Sequence, residues 1–470
     1  MKKLLAISIS MLILSGFLAS CKPQKPQNAG GDTESVYSIQ SEISADDTNS
    51  DTTTSENEQN VSSQSQNKPT SSNKTPDKTS SQDKTTSKKP TSSKNDEQPV
   101  PSQPMPPEVN VSGEEYKQIK PVSREDYHGW KYLKSKGTQG EQKAYIAFEK
   151  AFSQFEKTVA FDFKVSAIEV NRAYEVYMED HPEEFFLGKA SYTMDSKDNV
   201  ISFTVKSDMM SLPKDKVIEM KSLVQQKVYD IILELFPNGV YKNEIETVRA
   251  VHDYLVNNIK YDTTLKADHS HDMYGALING TSVCEGYAES FLYIMRLCGI
   301  ECLMINGTLS NQSHVWNMIK LEDEWYHIDV TSDDPILSSG EQVLRFEYFN
   351  ITENEIRITH TIVGNITDIP KATSSKYNFF KYYGLEYSSI NDDVFVNSIS
   401  FSLKNGYKYA YFKFTNNTPS NAVDHYLRNS KTIAAIVNGK GFNKQIVAGG
   451  SVSYSQNKTK NILNLELRYK

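Results

Sequence analysis

The sequence predicts an α+β protein, with a folded head of about 360 residues behind a long polar amino-terminal stretch. Two patterns predict it. Apolar residues recur at helical steps of three and four, first after Pro213, where Val217, Met220, Val224, Val228, Ile231 and Leu235 form a stripe. They recur again in "EIETVRAVHDYLVNNIKYD", where Ile245, Val248, Leu255 and Ile259 share a face. Strict alternation, the mark of half-buried strands, runs through His314–Val330 and through the aromatic stretch Ser398–Phe414.

The chain opens with Lys2-Lys3, an apolar run from Leu4 to Leu18, and the small-residue succession Leu18-Ala19-Ser20-Cys21. This is the order of an export signal, and the run is too short to span a bilayer comfortably. Its end resembles the lipobox of bacterial lipoproteins. The resemblance implies a signal peptide over residues 1–21, with Cys21 the lipid-attachment residue that holds the mature protein on the outer face of the bacterial cytoplasmic membrane. Residues 22–113 are mostly Ser, Thr, Asn, Gln, Lys and Pro, with too little apolar surface to offset the entropy of folding. They read as a disordered tether with a root-mean-square reach of about 50 Å. A net charge of −8 with scattered lysines gives no basic stripe, which argues against nucleic acid as a partner.

Residues 114–239 read as a mixed α/β region, with a helix near Gln142–Phe155, a strand in Asn199–Ser207 and the long helix after Pro213. "DHPEEFF", Asp180 to Phe186, reads as a surface turn before an aromatic core segment. In the region 240–384, His252 sits at the margin of its helix stripe and reads as a packing residue. Asp268, His269, His271 and Asp272 have metal-compatible chemistry but no regular ligand spacing, so neither metal nor cofactor is expected. Residues 385–470 read as a strand-rich module in which Asn405-Gly406 suits a two-residue hairpin turn. A helix around Ala422–Asn429 and strands at Lys444–Val447 and Ile462–Leu467 complete it, with exposed tyrosines in a structural role.

"TSVCEGYAESF", Thr281 to Phe291, carries the chemistry. Ala288, Phe291, Leu292, Met295 and Cys298 form one helical stripe and Gly299 is placed to end the helix, which puts Cys284 at its first turn. There the unpaired N–H groups and the positive dipole end favour an exposed thiolate and can receive an oxyanion. Cys298, on the stripe, and Cys302, in the apolar "GIECLMING", read as inert core thiols. In "HVWNMIKLEDEWYHIDV" two alternating strands flank an acidic turn. With a two-residue loop, Glu322-Asp323 or Asp323-Glu324, His314 and Asp329 point to the same face. An odd loop would separate them.

The order "TSVCEGYAESF", "HVWNMI", "WYHIDVTSDDP" closely resembles the transglutaminase-like superfamily, in particular a bacterial branch related to the kyphoscoliosis-peptidase type, over about Glu246 to Pro335. The resemblance implies a papain-like core with Cys284 as nucleophile, His314 as general base and acid, and Asp329 orienting the imidazole. One departure is Ser332, where relatives often carry Trp. Trp316 and Tyr274 are candidates for cleft walls, and His327 is the rival histidine on the strand of Asp329.

The expected function is that of a membrane-anchored extracytoplasmic cysteine enzyme, a transglutaminase-like acyltransferase or cysteine peptidase, acting on a protein or peptide substrate such as a cell-wall component. The alternative is a non-catalytic cell-surface module that keeps the fold and binds through the same cleft. Selective labelling of Cys284 by a mild thiol electrophile separates the two.

Overall fold

A computed structural model describes residues 122–237, 243–337, 339–364, 367–415 and 452–467, together with the backbone of the short strands Thr33–Tyr37, Lys117–Gln118 and Val240–Tyr241. The signal peptide, Cys21, nearly all of the tether and the segments Ala422–Asn429 and Lys444–Val447 lie outside the described residues.

The amino-terminal region begins with helices α1 (His128–Lys136) and α2 (Gln139–Phe152), followed by strand β1 (Thr158–Ala160), helix α3 (Ala167–Asp180), and strands β2 (Ala190–Met194) and β3 (Val200–Val205). Capping boxes start two of these helices: Thr138 with Glu141 opens α2, and Ser166 with Glu169 opens α3. The three strands form one antiparallel sheet with β3 in the middle. Phe148, Phe152, Tyr174, Tyr177 and Phe203 fill the core between helices and sheet.

Helix α4 (Lys214–Leu235) follows the expected stripe, but it packs that stripe elsewhere than the sequence suggests. Val224, Val228, Ile231 and Ile232 join the central core, together with Val248 and Leu255 of α5 (Glu244–Asn258) and Phe291 of α6 (Cys284–Leu297). The amino-terminal region as packed therefore ends before α4, not at residue 239. A four-stranded antiparallel sheet comes next: β4 (Cys302–Leu309), β5 (Gln312–Leu321), β6 (Glu324–Ile328) and β7 (His360–Ile362), in the order β6-β5-β4-β7. Val315 and Ile319 of β5 face the core that contains α6, whereas Trp316 and Met318 face a second cluster with Tyr348 and Ile351.

The carboxy-terminal part departs most from expectation. Asp392–Asn405 is a helix, α7, where the sequence suggests a strand and hairpin. Asn391 caps its start through Val394 N, and Gly406, at φ 73°, is the left-handed residue that ends it. Asn-Gly thus serves as a helix stop. The buried face Val394, Phe395, Ser398, Ile399 and Ser402 has helical spacing, which its two serines disguise. Strands β8 (Tyr409–Phe414), β9 (Val452–Asn457) and β10 (Ile462–Glu466) form a sheet whose further strands are Thr33–Tyr37, against β9, and Glu386–Tyr387, against β8. Five residues of the stretch read as tether are therefore a strand. Tyr407, Tyr409 and Tyr411 are buried in the central core, not exposed. The Tyr407 hydroxyl accepts from Arg249 and donates to Asp253, tying the module to α5.

Candidate active site

Val283, in extended conformation, caps α6, and Cys284 is the first residue of that helix. Two residues on, Gly286 makes the placement possible. A Cβ there would lie 2.1 Å from Ser282 Oγ and 2.6 Å from the Asp272 carbonyl oxygen, so only glycine lets the helix start pass this close to its neighbours. α6 is buried on every side; Glu289 is its one residue with appreciable exposure. Cys284 is only 1 % exposed, which corrects the expectation of an open thiol. Cys284 belongs to the central core, with Val283, Tyr287 and Ala288, and the amino-terminal region covers α6 farther along. Arg296 donates to the Asp180 carbonyl oxygen and lies 4.8 Å from the Tyr127 ring.

That cover is built from the supposed surface turn. His181, Glu183 and Glu184 are all buried. His181 Nδ1 pairs with Glu183 at 3.0 Å, and Glu184 accepts from Tyr177 at 2.9 Å and from Lys221 at 3.3 Å. Burial works against a charge on His181, yet the surrounding carboxylates raise its pKa above the ordinary value.

The sheet delivers the other two residues. Leu321 pairs with Glu324 and Met318 with His327, so the loop is Glu322-Asp323, and even positions of β5 share a face with odd positions of β6. Glu322 at φ 55° fits the first position of the primed turn such a loop requires. His314 and Asp329 meet accordingly, Nε2–H donating to Oδ2 at 2.7 Å, with both side chains buried. Nδ1 of His314 is buried and has no hydrogen-bond partner among the described residues.

Asp329 receives more than one donor. Ser332 donates its backbone N–H to Oδ1 at 3.0 Å and its hydroxyl to Oδ2, and His360 donates Nε2–H to Oδ2 at 2.9 Å. Burial alone would raise the Asp329 carboxyl. The charge and hydrogen bond of His314 and the hydrogen bond of His360 outweigh it and hold the carboxyl well below the usual range. Ser332, the departure from the family pattern, thus acts as a clasp on Asp329. His360 was not legible as a site residue: it is a lone histidine 31 residues beyond Asp329, brought there by the pairing of His360 with Leu309.

The remaining candidates fall around this group. Trp316 is buried in the cluster beneath the sheet, 6.0 Å from the His314 ring and nearly parallel to it, and its indole N–H donates to His327 Nδ1 at 3.1 Å. His327 is fully buried, and desolvation above all, with His360 and the Arg357 guanidinium nearby, lowers its pKa to about 3. His252 is also buried, between Asp253 at 3.0 Å and Asp333 at 3.2 Å. For it the hydrogen bonds overcome burial and bring its pKa up to about 9. A cleft of about 230 Å³ opens beside Glu285, the residue after Cys284, and is lined in part by Glu184, Phe185, His271 and Asp272. Tyr274 stands behind this lining, its ring 5.6 Å from Phe185. His271 pairs with Glu285, and His269 with Asp272 at 2.8 Å. Burial raises the pKa of Cys298 to about 12 and raises that of Cys302 as well, as expected of inert core thiols.

A family model described as the transglutaminase-like superfamily matches residues 238–330, a span that includes Cys284, His314 and Asp329 and stops short of His360. Among curated proteins, the kyphoscoliosis peptidase of Mus musculus is 23 % identical over 146 residues, 28 % of this chain and 21 % of its own length. That of Homo sapiens is 25 % identical over 129 residues, 24 % and 19 % respectively. The chain spans about a fifth of the length of the curated relatives it matches. Among solved structures, one described as a TGase aligns over 43 % of this chain and 55 % of its own at 13 % identity, with a TM-score of 0.22. A helix that begins at the cysteine, packed on antiparallel strands that join the histidine to the aspartate, is the α+β, papain-like arrangement of that family. The chain carries a transglutaminase-like superfamily domain over residues 238–330.

Proposed function

We propose that this protein is a cysteine enzyme that forms a thioester with an acyl or amide substrate at Cys284. The observation that carries the reading is the state of His314. Its Nε2–H is committed to Asp329, which leaves Nδ1, buried and without a hydrogen-bond partner among the described residues, as the nitrogen that can take up a proton. That is the tautomer a general base needs.

In the proposed sequence, His314 Nδ1 takes the proton of Cys284 Sγ as the sulfur attacks the substrate carbonyl. The oxyanion that develops is received at the first turn of α6, where backbone N–H groups have no intrahelical acceptor. Collapse breaks the bond to the leaving amine, which departs with the proton from Nδ1. A thioester remains on Cys284. An incoming amine or water then attacks this carbonyl, its proton passing to Nδ1, and returns the thiol with either an amide or a free acid as product. Asp329 stays ionised throughout and favours the imidazolium.

The substrate class we infer is a protein or peptide, entering beside Glu285. Attachment through Cys21 to the outer face of the cytoplasmic membrane is part of the same proposal, supported by the Lys2-to-Cys21 succession. Among the described residues no helix is long and apolar enough to cross a membrane. Iodoacetamide at neutral pH tests the reading: Cys284 should be modified well ahead of Cys298 and Cys302, and equal labelling of all three would reject it.

A further inference from the structure

His360 lies outside the matched domain yet donates to the same oxygen as His314. The two rings stand 5.3 Å apart with their planes at 49°, so they approach Oδ2 of Asp329 as separate donors. On its other side, His360 Nδ1 lies 2.8 Å from Thr359 Oγ1, and Thr359 Oγ1 in turn accepts from the Tyr348 hydroxyl at 3.2 Å. Because Nε2 carries the proton given to Asp329, Nδ1 must accept from Thr359. The chain Tyr348, Thr359, His360, Asp329 therefore has one consistent direction of donation.

We propose that His360 is a positioning residue for the acyl-transfer site: its Nε2–H fixes the Asp329 carboxylate so that His314 presents Nε2–H to it and keeps Nδ1 as the base. The inference rests on the reading of Cys284 as nucleophile. An aspartate side chain turns easily about its last torsion, which is broad and roughly two-fold. With a single histidine partner, either oxygen could face the ring and the ring could follow. Here Ser332 N–H holds Oδ1 while His360 holds Oδ2, so the carboxylate plane is fixed from both ends. Burial lowers the pKa of His360 despite its bond to Asp329, which keeps it a neutral donor that leaves the charge of Asp329 for His314.

The same three residues have ligand atoms within 4.8 Å of one another, close enough to hold a metal ion. The distances of 2.7 and 2.9 Å are instead those of ordinary N–H···O bonds, and a metal bound at both Nε2 atoms would leave neither a proton to donate. The two states exclude each other, which makes the distinction measurable.

The test compares wild type, His360→Leu, His360→Gln and Thr359→Val. Leu removes the donor; Gln restores an N–H near the position of Nε2; Val leaves the ring and removes the hydroxyl that sets its tautomer. The readouts are the iodoacetamide rate at Cys284, kcat and KM for acylation by p-nitrophenyl acetate, and the imidazole nitrogen shifts of His314, which report its tautomer. His360→Leu is expected to lower the iodoacetamide rate and kcat about tenfold with KM little changed and to give a mixture of His314 tautomers. His360→Gln should stay within about threefold of wild type with one tautomer, and Thr359→Val should fall between them. A single His314 tautomer and wild-type rates in His360→Leu would overturn the proposal, as would a Gln variant as slow as Leu. So would wild-type rates in Thr359→Val, which decides the matter should His360→Leu fail to fold, and so would a stoichiometric divalent metal in the purified protein. Failure of wild-type Cys284 to react selectively would instead reject the underlying reading of the cysteine.

Discussion

Replacing Asp329 by Asn removes a charge while keeping the shape, and the structure shows why the amide cannot fit. Oδ2 accepts from His314 at 2.7 Å, from His360 at 2.9 Å and from the Ser332 hydroxyl, while Oδ1 accepts from Ser332 N–H at 3.0 Å. An asparagine has one oxygen and one NH₂. If its oxygen replaces Oδ2, the NH₂ faces the Ser332 N–H; if reversed, the NH₂ faces two imidazole N–H groups. Either way at least one hydrogen bond to a charged group becomes a contact between donors, at about 2–3 kcal/mol each. In the reversed orientation His314 can relax by moving its proton to Nδ1, the atom that should be the base. The acylation rate should then fall on the order of 10²-fold or more with little change in KM. The assay is the pH profile of Cys284 alkylation. In wild type the reaction should persist at neutral pH, whereas in Asp329→Asn it should drop there and recover as pH rises toward that of an ordinary thiol, about 8.5. An unchanged profile would show that the carboxylate is not coupled to the cysteine.

Three further outcomes follow from the packing. Gly286→Ala, whose Cβ would fall 2.6 Å from the Asp272 carbonyl oxygen, should cost about 1–3 kcal/mol in chemical denaturation and lower activity by shifting the start of α6. Cys284→Ala and Cys298→Ala remove thiols that are 1 % and 0 % exposed, so each should cost about 1 kcal/mol; activity should vanish only in the first, and its loss in both would reject the assignment. His252 has a pKa of about 9 when folded against about 6.5 unfolded. A raised value stabilises fully below the unfolded pKa and less as pH climbs through the folded one, so up to roughly 3 kcal/mol should be lost between about pH 6.5 and 9. Urea denaturation across that range should show the slope in wild type and a flatter one in His252→Gln.

Much of the candidate site was legible because it is local. The His314–Asp329 pairing depends on strand alternation and on a two-residue loop, both readable in 17 residues, and the register is the one that places them together. The apolar stripe of α6 was equally plain. What sequence hid was cover and convergence. Glu285 and Arg296 are charged residues, but His271, 14 residues before the first, and the Asp180 carbonyl, 116 residues before the second, pair with them inside the buried helix. His360 reaches Asp329 only because its strand pairs with β4, which no spacing announces. Asn405-Gly406 misled for a different reason: a left-handed glycine suits a hairpin turn and a helix stop alike, and the cap at Asn391 that decides between them lies 14 residues earlier.

The central claim is a thioester on Cys284 formed with the help of His314. The most direct measurement is to react the protein briefly with p-nitrophenyl acetate, quench in acid and locate the acyl group by peptide mass spectrometry. The account predicts a single acetyl group on the peptide carrying Cys284, labile to hydroxylamine, missing in Cys284→Ala and formed far more slowly in His314→Ala. No acetyl group on Cys284, or one that forms as fast without His314, would contradict it.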